Sequence, residues 1–110
     1  MSWLVNKKIG GLLGLARKAG KVVFGTESTI EAINKKQVTL ILVAEDAADR
    51  TKRNMEKIAK ERQIPIYVYG TIEELSNSIG QHNKAILGIK EVHFSKEIIK
   101  IMNNGGEVIG

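Results

Sequence analysis

The residues best suited to chemistry lie close together, early in the chain. Arg17, Lys18 and Lys21 form a basic cluster, and Gly25-Thr26 follows as the opening of a helix. A helix start leaves backbone N–H groups unpaired and carries a partial positive charge, so it suits a phosphate or the edge of a base. The stretch from Gly10 to Ile33, GGLLGLARKAGKVVFGTESTIEAI, is therefore where a ligand is expected to dock.

The catalytic alternatives are poorer. There is no cysteine, which removes disulfides, thiolate metal sites and thiol catalysis. His82 and His93 stand in different segments without the spacing of a metal pair, so no metal and no cofactor are expected. Gly10, Gly11 and Gly14 fall inside a helical pattern rather than in a strand-to-helix turn, which excludes a dinucleotide fingerprint or a P-loop and favours close helix packing. Glu45 and Asp46 close an apolar strand, where α/β proteins often carry functional groups, and a nucleotide-processing enzyme would use them. They have no matched nucleophile, and Asp46 serves better as a helix N-cap. Ser28, Ser76, Ser78 and Ser95 lack a nucleophile-elbow context. The chain reads as a non-enzyme.

The elements that must position these residues follow from periodicity. Ile9, Leu12, Leu13, Ala16 and Ala19 make one stripe of a first helix that ends at Gly20. Val22 to Phe24 is a short strand, and the helix after Gly25-Thr26 buries Ile30 and Ile33, capped by Thr26 or by a Ser28/Glu31 capping box. Val38 to Ala44, VTLILVA, is a nearly unbroken apolar run rich in branched residues, as a strand buried on both faces requires. A third helix, capped by Asp46 or Asp49, packs through Met55, Ile58 and Ala59. Its outer face carries Arg50, Lys52, Arg53, Lys57 and Lys60, which reads as a solvated helix face. Ile64 to Tyr69 is a strand with the only proline near its beginning. Thr71 and Glu74 form a capping box for a short helix through Ile72, Leu75 and Ile79. After the polar loop Gly80 to Lys84 come a strand, Ala85 to Ile89, and a last helix from Ser95, with Phe94 and Ile99 as a staple, stopped by Asn103 to Gly106.

This α-β-α-β-α-β-α-β-α order predicts an α/β protein: a three-layer α/β/α sandwich around a mixed, mostly parallel four-stranded sheet. With 110 residues and no composition break, the chain is expected to be one domain with its own core. Hydrophobic residues at 43% and charged residues at 26% are globular values, which argues against a disordered tail protein. No apolar run nears the roughly 20 residues that span a bilayer, and MSWLVNKK has no signal-peptide core, so a cytoplasmic location is expected. Lysine and arginine outnumber aspartate and glutamate 17 to 12, giving a net charge of +5, which favours a polyanionic partner.

The segment GLARKAGKVVFGTESTIEAINKKQVTLILVAEDA, Gly14 to Ala47, resembles the core of the L-seven-Ae / L-thirty-e ribosomal protein family, and is most similar to its small bacterial, YlxQ-type members. Gly25-Thr26, the helix through Ala32, the strand Leu40 to Val43 running into Ala44-Glu45-Asp46, and Ile64-Pro65 carry the likeness, which extends over essentially the whole chain. The resemblance implies an RNA-binding sandwich that takes a kink-turn or related internal loop, or ribosomal RNA. By position it implies a site made of Gly25, Thr26, Glu27, Ser28 and Glu31 on one side and Gly80, Gln81, His82 and Asn83 on the other. Arg17, Lys18 and Lys21 are placed to hold phosphates. Kink-turn binders commonly put a polar pair after Gly-Thr and a lysine one turn later; here those places hold Glu27, Ser28 and Glu31. A carboxylate in place of that lysine forfeits an attraction of roughly 1 to 3 kcal/mol. The same acids would suit a protein-interaction adaptor that kept the fold, which stands as the alternative.

Overall fold

The computed structural model describes residues 3–104. Five helices and four strands alternate: α1 (Trp3–Lys18), β1 (Val22–Phe24), α2 (Thr26–Asn34), β2 (Leu40–Val43), α3 (Asp49–Arg62), β3 (Ile66–Val68), α4 (Ile72–Ser78), β4 (Ile86–Ile89) and α5 (Val92–Asn103). The sheet order is β1-β4-β2-β3. The two inner strands, β2 and β4, are buried at every position, which explains the apolar run Leu40 to Val43 within the nearly unbroken stretch Val38 to Ala44.

The sheet is mixed, as expected, but its pairing corrects the emphasis on parallel strands. β1, β2 and β3 point the same way, and β2 pairs parallel with β3; β4 enters between β1 and β2 and is antiparallel to both. The cause lies in how the chain returns from α4. Asp46 Oδ1 accepts from the Ile72 N–H at 2.7 Å, fixing the start of α4 at the end where β2 and β3 finish. The buried Ser76 hydroxyl then accepts from the Lys84 N–H at 2.8 Å and donates to the Lys84 carbonyl at 3.2 Å. The chain is thus delivered back to the same end, and β4 must start there and run the opposite way.

Register sorts the side chains onto two faces. Phe24, Leu87, Leu42 and Tyr67 share one face with Val22, Ile89 and Leu40. It is covered by α1, α4 and α5: the Tyr67 hydroxyl donates to Asn103 Oδ1 at 2.7 Å, and Gly14 lies against the Ser78 carbonyl. The opposite face, with Val23, Gly88, Ile41 and Val43, is covered by α2 and α3. Gly88 permits the close seating of α2, because a Cβ there would stand 2.8 Å from Val23 Cγ2 and 3.2 Å from Thr29 Cγ2. Ile9, Leu13, Ile33, Leu42, Met55, Leu75, Leu87 and Ile98 fill the core between the layers.

Several local expectations shift. Gly20 ends α1 in a left-handed conformation, with Ala19 exposed outside the stripe. Asp46 caps α4 rather than α3, and α3 follows Ala48 with no side-chain cap. The capping box at Thr71 and Glu74 is present as read. α5 begins three residues before Ser95, because Glu91 accepts from the Phe94 N–H at 2.8 Å. Ser95 is instead buried inside the helix, 2.6 Å from Thr39 Oγ1. The helix stops at Asn103, while Gly105 and Gly106 lie outside the described residues.

Candidate nucleic-acid interface

β1 ends where β4 begins, and this pairing brings together the two halves of the expected site. Phe24 pairs with Leu87, and the next residue, Gly25, donates its N–H to the Ile86 carbonyl at 3.0 Å. The start of α2 and the Gly80 to Lys84 loop therefore leave the sheet side by side. Gly25 has φ 87 and ψ 154, a conformation essentially confined to glycine. It turns the chain sharply into α2 without supplying a cap. No side chain caps this helix, so neither Thr26 nor a Ser28/Glu31 box does so, and the N–H groups of its first turn stay open. Thr26, Glu27 and Ser28 are exposed.

The loop is held from below and open above. Ser76 fixes Lys84, the Ser76 carbonyl accepts from the Gln81 N–H at 2.9 Å, and Gly80 and Asn83 take left-handed conformations. This leaves His82 and Asn83 exposed, next to the open helix start.

Two residues outside the sequence-based assignment complete the junction. The Phe24 ring is flanked by the Arg17 guanidinium, 5.2 Å from its centroid, and by the Lys84 ammonium at 5.5 Å. Such contacts hold a cation in place while leaving its hydrogens available. Arg17 reaches the end of β1 because helical side chains lean toward the helix N-terminus, and α1 runs opposite to β1. Its Nε is buried and has no acceptor among the described residues. Phe24 could have been singled out as the aromatic just before the glycine turn, and Lys84 as the last loop residue before a strand. Neither carries a local signal that it meets Arg17.

The other assigned residues are dispersed. Glu31 is exposed one turn along α2 and pairs with Lys35 at 3.1 Å, so a cation stands beside the acid that departs from the kink-turn pattern. Lys18 is exposed in the last turn of α1. Lys21 sits at the opposite end of β1, where its carbonyl accepts from the Lys90 N–H at 2.8 Å, and is not part of the junction. Among the described residues no three potential metal ligands cluster. His93 is engaged with Glu91 at 2.6 Å, and Asp46 with the start of α4.

The fold and this junction define a small α/β/α protein with an open helix start, a hydrogen-bonded loop and two cations against one aromatic ring at one end of its sheet. The chain belongs to the ribosomal protein L7Ae/L30e/S12e/Gadd45 family, whose match covers residues 7–99. It is 31% identical over 92 residues to the RNA-binding protein YlxQ of Enterococcus faecium, covering 84% of this chain and 88% of that one. A solved protein of unknown function from Bacillus halodurans superposes with a TM-score of 0.84 at 32% identity, over 87% of this chain and 97% of its own. The Giardia lamblia 15.5kD RNA binding protein shares the fold, with a TM-score of 0.76 at 12% identity, over 94% and 89% of the two chains.

Proposed function

We propose that this chain is a single-domain, non-enzymatic RNA-binding protein of the cytoplasm. Its target is a structured RNA, either a kink-turn-like internal loop or a segment of ribosomal RNA. One observation carries the reading: the uncapped start of α2, the Gly80 to Asn83 loop and the Arg17–Phe24–Lys84 stack meet at one sheet end. Open N–H groups and short polar side chains can read the exposed edges of non-Watson–Crick pairs, and the two cations can hold the flanking phosphates. The relative from Enterococcus faecium is named an RNA-binding protein, which supports the RNA-binding part of this reading. Among the described residues no helix is long and apolar enough to cross a membrane.

Fluorescence anisotropy of internal-loop RNAs at several salt concentrations tests the proposal. Binding that weakens linearly in log salt supports it. A salt-independent signal, or no binding at low salt to any structured RNA, overturns it. The adaptor reading loses part of its motive because Glu31 is paired within the protein. A partner that stays bound after nuclease digestion, with no RNA affinity, would restore it.

A further inference from the structure

The basic outer face of α3 is not a uniform solvated surface. Lys52 donates to the Glu45 carbonyl, and Arg62 donates to Asn34 Oδ1 at 2.7 Å, so these two cations are engaged within the protein. Arg50, Arg53 and Lys57 are exposed and have no acceptor among the described residues. At 3.6 residues per turn they fall within a sector of about 60° on the helix, in a row about 10 Å long. Together with Thr51 and Asn54 they line a groove of about 440 Å³ whose far wall is Thr26, the first residue of α2. The groove is thus continuous with the open helix start, and its lining contains three cations, three neutral polar residues and no acid.

We infer that this groove is a second phosphate track, which holds the backbone of a duplex arm leaving the internal loop bound at the α2 start. Three cations in one row, a helical turn or less apart, can each neutralise a backbone phosphate of one strand. Arg50, Arg53 and Lys57 supply the charge, and Thr26, Thr51 and Asn54 supply short donors between them. The inference rests on the RNA-binding reading above and adds a direction to it: one arm of the RNA runs along α3. Such contacts add affinity without reading sequence.

The test compares wild type with the triple variant Arg50→Gln, Arg53→Gln, Lys57→Gln on two RNAs that share one internal loop. One RNA has a short arm, and the other has the same arm lengthened by a full helical turn. Glutamine keeps helix propensity, and thermal unfolding checks that the variant folds. The track predicts that the variant weakens long-armed binding by roughly tenfold or more and lowers the salt slope by about 2 to 3, while short-armed binding is unchanged. Equal binding of the long-armed RNA by variant and wild type, with the same slope, overturns the track. Equal weakening on both RNAs also overturns it, and assigns the three cations to the loop itself. Loss of only a nuclease-resistant acidic protein partner would reassign the groove to a protein. If wild type binds neither RNA at low salt, the RNA-binding reading fails first and the track falls with it. That outcome is distinguishable because it does not involve the variant.

Discussion

The helix starts in the two layers are finished differently. In the layer of α1, α4 and α5, the start of α4 is closed by Thr71, Glu74 and Asp46, and the start of α5 by Glu91. In the other layer, α2 follows Gly25 and α3 follows Ala48, neither with a side-chain cap. A cap is worth about 1 kcal/mol, so leaving one out costs stability unless something else satisfies the open N–H groups. The two uncapped starts border one cationic groove, and α2 also meets the Gly80 to Asn83 loop. α4 and α5 are thus completed by the chain itself, whereas α2 and α3 keep open N–H groups, which under the proposed function an RNA phosphate or base edge would satisfy.

Substitutions can break this comparison. The largest effect is expected from Gly25→Ala. Its added Cβ meets open space, so the backbone conformation alone sets the cost, about 1 to 3 kcal/mol by denaturant midpoint. RNA affinity should fall in parallel. Next, Arg17→Ala should weaken RNA binding by roughly tenfold, the scale of one lost charge-assisted hydrogen bond, whereas Lys21→Ala, at the far end of β1, should change it about twofold at most. Equal effects of the two in an anisotropy titration would show that general charge matters rather than the Phe24 junction.

Thr71→Ala should lower stability by about 1 kcal/mol in thermal unfolding and leave RNA affinity alone, because the start it opens faces no ligand. A smaller effect concerns acid. Glu91 is held at about 2, below its ordinary 4.5, chiefly by the Phe94 N–H and further by His93. Because the folded value is lowered, the stabilisation is complete above about pH 4.5 and is lost as pH falls through about 2. The melting-temperature gap between wild type and Glu91→Gln should therefore close over that acid range.

The sequence made visible what is decided locally. Leu40 to Val43 is apolar because β2 is inner, and Thr71 and Glu74 stand three residues apart because the box closes on itself. What was hidden depends on distant partners. Asp46 reads as the cap of the following helix, but its carboxylate accepts instead from the Ile72 N–H, 26 residues on. The direction of β4 depends on Ser76 gripping Lys84, and the start of α5 on a glutamate cap, a less common choice. The halves of the site, at Gly25 and Gly80 to Asn83, carried no local signal of their proximity and were joined through family resemblance. The α3 groove has no sequence signal, because a helix pattern shows which residues face outward, not that Thr26 stands opposite them.

Amide chemical shifts on adding a structured internal-loop RNA distinguish a helix start that is open to a ligand from one that the chain closes. Large changes are expected at the amides of Thr26, Glu27 and Ser28 and at Gly80 to Asn83, with those of Ile72 to Glu74 unmoved. Unmoved amides at the start of α2, or changes concentrated at the capped start of α4, would contradict it.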